Sequence, residues 1–260
     1  MAVSQRTSLY VERLEERCQP AGTVTVLQSG SIVRLVGDAA NNDVALTATG
    51  ANALTVTGIA TTISGPTTLA GVTRVYLELA DGNDSAAVTA TVPFDGQIIA
   101  RASSGNDTFS IGNGQYNGSI VILEEHGDDV VSLAAAGYNE AVIVRTGSGQ
   151  DSVSALNSVW ARRFEISTSR GADTVNLSFC NFADRVVIHT DDDNDLLSLA
   201  NCAFATFSLF DLGTGHDQAV LNTVTFPTGK PRSVLLGGLG VDTITQTGVT
   251  GDRVVRGFYP

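Results

Sequence analysis

Apolar and polar residues alternate in short runs along most of the chain, and the runs recur about every 22 residues, a period typical of repeat architectures. Each run follows an aspartate. The residues two and four positions after the aspartate are apolar, and the residue between them is usually polar. Such alternation is typical of a β-strand with one buried face. The aspartates that define the repeat are Asp107, Asp129, Asp151, Asp173, Asp195 and Asp217, with Asp84 slightly more than one period before the first and Asp242 slightly more than one period after the last.

A second alternating run lies nine and seven residues before each aspartate, as in Ile120 and Ile122. Between the two runs, glycine stands two residues before the aspartate in every repeat but one, where Asp193 takes its place. Glycine accepts the positive φ that a tight corner needs, and aspartate is among the few other residues that can. One repeat therefore reads as a strand, a G-x-D corner, a second strand and further corners, without helical periodicity.

A column of aromatic residues follows the same period in a chain that is only 6% aromatic. Small residues recur two positions before it, and large residues beside small ones are how a core is filled. We therefore predict a buried stack of rings rather than a stripe for sugar binding, and two buried thiols at Cys180 and Cys202 in the small column. The aromatic residues are Phe94, Tyr116, Tyr138, Trp160, Phe182, Phe204 and Phe226.

These columns predict an all-β fold, a right-handed parallel β-helix (a β-solenoid) with about 22 residues per coil. Stacked coils pair in parallel at ~4.8 Å, so that identical repeat positions form ladders. Residues 74–260 are predicted to form the regular coils and a C-terminal cap, and residues 1–22 a sorting or capping segment. Residues 23–73 are predicted to be degenerate coils, because Asp43 precedes Asp84 by the length of two slightly shorter coils.

The net charge of −12 lies entirely in the repeats, since the segment 1–22 has as many arginines as glutamates and is neutral. Nucleic acids and anionic lipids bind clustered lysine and arginine, so the overall charge argues against both as partners. No window of 18 apolar residues exists, which argues against a membrane-spanning helix. Three cysteines are too few for a disulfide framework.

Three corners contain the sequence G-x-G-x-D, at Gly147–Asp151, Gly213–Asp217 and Gly238–Asp242. These corners resemble the RTX, or hemolysin-type, calcium-binding repeat, although that family has two such corners per coil and this chain has one. The resemblance implies Ca²⁺ as the cofactor, held between stacked turns by glycine carbonyls and aspartate carboxylates. Its ligands would be Asp84, Asp107, Asp129, Asp151, Asp173, Asp195, Asp217 and Asp242. The alternative is that each aspartate accepts hydrogen bonds from backbone N–H groups of its own corner.

No arrangement of residues predicts a catalytic site. His126, His189 and His216 occupy different repeat positions, which argues against a histidine metal site or a catalytic triad. The acidic clusters at 124–129 and 191–195 lie three coils apart, on the order of 14 Å, and are interpreted as solvated corners. A polysaccharide lyase or hydrolase is suggested only by analogy with other β-helices.

One column is unexpectedly apolar. Its residues lie between the two inward positions of the first strand and should face solvent, yet five of six are apolar. Either β-branched residues suit any strand, or this face contacts a partner or a second copy of the chain. The six residues are Ile99, Val121, Ile143, Glu165, Val187 and Leu209.

Residues 11–21 resemble the LEPRxLL-type N-terminal segment of many exported or surface-associated bacterial proteins. Leu14, Glu15 and Arg17 match the motif, whereas Glu16 replaces its proline. The resemblance implies a location in the cell envelope or outside the cell. We therefore expect a non-enzymatic structural or adhesive solenoid with a protein or polysaccharide partner. The alternatives are an RTX-like calcium-binding module and a polysaccharide-active enzyme.

Overall fold

The structure, a computed structural model, describes residues 22–229 and 231–259. These residues form strands and turns without any helix, as the alternation predicts. The strands are β1 (Thr23–Ser29), β2 (Ile32–Val36), β3 (Asp43–Gly50), β4 (Ala53–Gly58), β5 (Thr62–Ser64), β6 (Thr68–Ala70), β7 (Arg74–Glu78), β8 (Ser85–Ala90), β9 (Gln97–Arg101), β10 (Thr108–Tyr116), β11 (Ile120–Leu123), β12 (Val130–Tyr138), β13 (Val142–Arg145), β14 (Ser152–Leu156), β15 (Val159–Trp160), β16 (Phe164–Ser167), β17 (Thr174–Ser178), β18 (Asn181–Phe182), β19 (Val186–His189), β20 (Leu196–Ala200), β21 (Ala203–Phe204), β22 (Ser208–Asp211), β23 (Thr214–Gly215), β24 (Gln218–Asn222), β25 (Ser233–Leu236), β26 (Leu239–Gly240), β27 (Asp242–Thr247), β28 (Arg253–Arg256) and β29 (Phe258–Tyr259).

Two long sheets enclose the core of a β-solenoid with coils of about 22 residues. The first sheet has 12 strands in the order β28-β25-β22-β19-β16-β13-β11-β9-β7-β2-β1-β5, and the second has 15 strands along β29-β27-β24-β20-β17-β14-β12-β10-β8-β3-β4-β6 and the short β15-β18-β21 series. Equal repeat positions pair in parallel, as Val131 does with Val153. The predicted fold and its coil-to-coil register are therefore confirmed.

The aromatic column lies inside the solenoid, and its rings from Tyr116 to Phe226 form a continuous stack. Its seven rings are between 0% and 3% exposed. Trp160 lies 5.2 Å from Tyr138 and 4.6 Å from Phe182 between ring centroids, with interplanar angles of 19° and 18°. Such offset stacks bury large apolar area and gain from ring geometry as well. The prediction of an internal stack is confirmed, and a sugar-binding stripe on these rings is ruled out.

The column of small residues beside the rings follows a corner of each coil whose backbone conformation the sequence did not predict. Cys180 and Cys202 are free and buried, as predicted, and their Sγ atoms donate to the carbonyls of Ser178 and Leu177, each at 3.2 Å. The residue before each small residue has a φ of 50° to 56°, the left-handed region. Of the residue types at these six positions, only asparagine favours left-handed backbone conformations, so the sequence pattern did not predict this corner. These corner residues are Asn113, Ala135, Asn157, Phe179, Asn201 and Thr223.

The N-terminal end differs from the prediction of two short coils. Strand β3 pairs in parallel with β8, placing Val44 opposite Ala86 and Asn42 at the position of Asp84. Asn42 and Asp84 are thus one coil apart, and this coil has 42 residues because it contains the inserted strands β4, β5 and β6. Strand β4 is antiparallel to both β3 and β6. The edge strands β5 and β6 have three residues each, and short edges offer little to a foreign strand.

Candidate functional site

The aspartate column forms a hydrogen-bonded ladder along the inside of the G-x-D corners. In each step, the backbone N–H of one column residue donates to the Oδ1 atom of the aspartate in the next coil. The distance is 2.7 Å from Asn42 to Asp84 and 2.8 Å from Asp107 to Asp129, and no step exceeds 2.9 Å. The aspartates thus bind the neighbouring coil, so the prediction that each accepts from its own corner was wrong.

The glycine corners stack so closely that a side chain there would collide with the preceding coil. Gly149 has a φ of 144°, and a Cβ atom there would lie 1.8 Å from the carbonyl oxygen of Gly127 in the preceding coil. Asp193, the exception in the sequence, also has a positive φ, 81°. Because every corner contacts the next one, the carboxylates follow each other along a straight, dry line.

Burial raises the pKa of the column carboxyls from Asp84 to Asp217. Desolvation is the largest cause, and it raises the pKa of Asp84 to about 6 and that of Asp129 and Asp173 to about 7. Hydrogen bonds from the preceding coil act in the opposite direction. Each aspartate of the column is at most 2% exposed. Eight of the acidic residues behind the net charge of −12 are therefore inside the rod, and the exposed surface is far less acidic than the composition implies.

Glu124 is a buried carboxyl beside this column. It stands five residues before Asp129, at the position that Thr146 and Thr168 occupy in the next two coils, and it is 5% exposed. Neither carboxyl oxygen has a hydrogen-bond partner. Burial first, and then the nearby charges of Asp129 and Asp107, raise its pKa to about 9, so that it holds a proton at neutral pH.

The interpretation of 124–129 as a solvated acidic cluster was therefore wrong for Glu124 and Asp129, although Glu125 and Asp128 are exposed. The sequence signal that was missed is the position of Glu124 in the alternation of inward and outward residues. Glu124 lies two residues after Ile122 and four after Ile120, so the alternation that predicts those side chains inside predicts Glu124 inside as well. The cluster at 191–195 divides in the same way, because Asp195 is buried in the column and Asp191, Asp192 and Asp193 are exposed.

The predicted calcium ligands do not converge in the structure. Within 22–229 and 231–259, no group of three or more histidine, cysteine or acidic side chains is arranged to hold a metal ion. The Oδ1 atom of every column aspartate accepts a backbone hydrogen bond, as given above. The Oδ2 atoms of seven of them, all except Asp107, are buried without a partner and are the atoms a cation would have to use.

Replacing Asp151 by alanine should destabilise the solenoid by about 1–3 kcal/mol, because the buried N–H of Asp129 loses its acceptor. Asp151→Asn keeps that acceptor oxygen and should be far milder, as Asn42 already occupies this column. Chemical denaturation of both variants checks the prediction. Equal losses for alanine and asparagine would show that the ladder contributes nothing.

The three histidines lie in separate environments. The Nδ1 atom of His126 is 2.8 Å from the Ser148 hydroxyl, and that of His216 accepts the N–H of Val241 at 3.0 Å. His189 lies 3.9 Å from Asp211 on a different side of the rod. No histidine of the described residues is thus paired with both a nucleophile and an acid.

The outer face of the first sheet collects most of the positive charge. We call it the arginine face, defined by exposed arginines at or next to the outward positions of its strands. The apolar outward column runs between them, and its residues from Ile99 to Leu209 are half-buried or buried rather than exposed. The arginines are Arg34, Arg74, Arg101, Arg145, Arg163, Arg185, Arg232 and Arg256.

The opposite side of the rod is uncharged. Strands β10, β12, β14, β17, β20 and β24 contain no charged residue, and we call their outer surface the neutral face. Its central column is mostly serine, as at Ser110, Ser154 and Ser198. The solenoid therefore separates three chemistries on three sides, with exposed acids at the G-x-D corners, arginine on one sheet and serine on the other.

Two acids on the arginine face, Glu78 and Glu165, are paired with its arginines. Glu78 accepts from Arg34 at 2.7 Å through both carboxylate oxygens. Glu165 lies between Arg163 and Arg145, 3.5 Å from the latter. Aromatic rings lie beneath two guanidinium groups, with Arg34 over Tyr76 at 5.8 Å and Arg185 over Phe207 at 5.6 Å. These contacts order the arginine side chains and leave much of their charge unmatched.

The chain matches no protein-family model, no curated protein and no solved structure. None of the described residues belongs to a helix that is long and apolar enough to span a membrane. The segment at 11–21 that resembles an export motif lies outside the described residues.

Proposed function

We propose that the protein is a non-enzymatic structural or adhesive rod of the cell envelope or the extracellular space. The observation that carries the proposal is the separation of charge between its sides. Eight exposed arginines share one sheet surface, while the other sheet surface has no charge over six consecutive strands. A solenoid keeps such an array straight and at constant spacing, because every coil is paired with both neighbours. The resemblance of residues 11–21 to an export segment supports the location.

Binding to isolated envelopes of the cells that make the protein tests this proposal. We expect the purified protein to sediment with the envelopes in a saturable way. A variant with Ser110→Asp, Ser154→Asp and Ser198→Asp, all on the neutral face, should bind as the unaltered protein does. Absence of saturable binding would contradict the proposal.

A calcium-dependent module is the second candidate, favoured by the unpartnered Oδ2 atoms of the column. Calcium requires six to eight oxygen ligands, and here each aspartate has already used one oxygen for the ladder. We therefore expect the same melting temperature in millimolar CaCl₂ and in EGTA. Circular dichroism measures it. Because binding to the folded state alone adds ~2.7 kcal/mol at a hundredfold excess over the dissociation constant, a clear upward shift in CaCl₂ would favour the calcium module instead.

A polysaccharide lyase or hydrolase would need an acid and a base within reach of one sugar bond. Among the described residues, the carboxyl with the most strongly raised pKa, Glu124, is enclosed in the core, and the histidines lie apart. Sugar release from a panel of polysaccharides would establish that function in place of the one proposed.

A further inference from the structure

We propose that the arginine face binds a linear, carboxylated polysaccharide that lies along the axis of the rod. This inference rests on the proposed function and specifies its partner. It concerns the outward positions of strands β2, β7, β9, β11, β13, β16, β19, β22, β25 and β28, which are consecutive in the first sheet.

The charge of this face favours an anionic partner. Against its eight arginines stand four acids, and two of the four are already paired with arginines. Glu78 and Glu165 are paired with arginines, Asp211 lies beside His189, and Asp252 accepts the N–H of Gly229 at 2.7 Å. Arg101, Arg185 and Arg232 have no acidic partner within the described residues. An unmatched positive surface on a protein that is negative overall is complementary to an anion and not to the rest of the molecule.

The geometry fits a linear polymer. Ten neighbouring strands at ~4.8 Å give a track of about 43 Å, and a pocket lined by Val36, Glu78, Arg101 and Leu123 opens at one edge of it. Arg163 and Arg185 occupy the same repeat position on adjacent coils, and Arg101 and Arg145 share another position two coils apart. A chain with regularly spaced carboxylates can contact several of these groups at once, so weak single contacts add up.

The side-chain chemistry favours carboxylate and sugar together. Guanidinium groups bind carboxylates through two parallel hydrogen bonds, which lysine cannot do, and no lysine lies on the described part of this face. The floor between the arginines is apolar and half-buried, as at Val121 and Ile143, and can contact the C–H surfaces of sugar rings.

Other occupants fit less well. A second copy packed face to face would bring eight arginines against eight, with only four acids on each side. Duplex DNA is a rigid cylinder that touches a flat face along a narrow line. An acidic protein would need an exposed apolar centre here. Among the described outward positions, the exposed apolar residues are Ile32 and Val36, and both lie on β2 at one end of the face. Each of these occupants is an outcome of the experiment below.

The test measures binding of the full chain to immobilised polygalacturonate, with uncharged dextran and a 20-base-pair DNA duplex as comparison probes. We expect binding to polygalacturonate only, weakening as salt screens the charges. The triple variant Arg101→Ser, Arg185→Ser and Arg232→Ser should bind at least about tenfold more weakly, because charge-assisted contacts are lost. The neutral-face variant with three aspartates changes the net charge by the same amount and should bind unchanged.

Replacing the same three arginines by lysine keeps the charge and should recover only part of the affinity, since the paired hydrogen bonds are lost. Equal binding by the serine variant, binding to dextran, tighter binding to DNA, or a concentration-dependent dimer that the serine variant abolishes would each overturn the inference. Saturable binding of the serine variant to envelopes at full strength would overturn it as well, yet leave the proposed function standing. Protease-sensitive envelope binding without any affinity for polygalacturonate would assign the face to a protein partner instead.

Discussion

Replacing Trp160 by aspartate should unfold the solenoid. The indole is 0% exposed and stacks between Tyr138 and Phe182, while Phe164 packs against it with 4.9 Å between centroids. Aspartate would remove these contacts and place an unpaired charge in the middle of the core. Each of the two changes is costly, and together we expect a loss of about 3 kcal/mol or more. Because the ring joins the stack above to the stack below, the loss affects both halves of the rod.

Thermal melting followed by circular dichroism measures this loss, and Trp160→Phe is the matched control. Phenylalanine continues the stack that Phe182 and Phe204 form, and the indole N–H has no hydrogen-bond partner to lose. We expect it to cost less than about 2 kcal/mol. An aspartate variant that melts like the unaltered protein would mean that the ring does not lie in the core.

Replacing Glu124 by threonine should stabilise the protein, and the gain should grow with pH. The folded state raises the pKa of this carboxyl from its ordinary value of 4.5 to about 9. A raised carboxyl pKa means that folding favours the protonated form. The unaltered protein therefore has its full stability below pH 4.5 and loses it as the pH rises towards 9, at up to ~1.4 kcal/mol per pH unit. Threonine, which the next coils use at this position, removes that loss.

The melting temperatures of both proteins between pH 5 and pH 9 check this prediction. We expect a small difference at pH 5, one equivalent to a few kcal/mol at pH 7, and a larger one at pH 9. Glu125→Thr is the control, because Glu125 is the exposed neighbour and its removal should change little. A constant difference between the Glu124 variant and the unaltered protein across this range would mean that Glu124 does not hold a proton in the folded state.

The column aspartates act in the same direction as Glu124. The raised pKa values of Asp129, Asp173 and Asp195, about 7 each, also mean that the stability these residues contribute is lost as pH rises from about 4 towards 7. We therefore expect the rod to be more stable in mildly acidic surroundings than at alkaline pH. That property follows from placing a line of carboxyls inside a tightly stacked corner.

The sequence by itself determined the solenoid, the length of its coil and the identity of its inner columns. Alternation of apolar and polar residues is a local signal, and here it recurs in every coil. An ambiguous pattern in one repeat can therefore be interpreted from the same positions in the other repeats. The aromatic column, the buried thiols and the left-handed Asp193 corner followed from the same register. The sequence also placed Ile99 and its neighbours on the outside, although their degree of exposure depends on the side chains around them.

Only the tertiary structure decided which atoms meet. The acceptor of the Asp107 N–H is Asp129, one coil away, because stacking sets that contact and local sequence does not. The sequence interpretation placed Glu124 in solvent because of its charge, although its position in the alternation of inward and outward residues predicted burial. In the structure the side chain is buried. Arg34 and Arg256 share a face only because ten strands stack in register. Residues distant in sequence become one surface through coil stacking, which composition and net charge cannot describe.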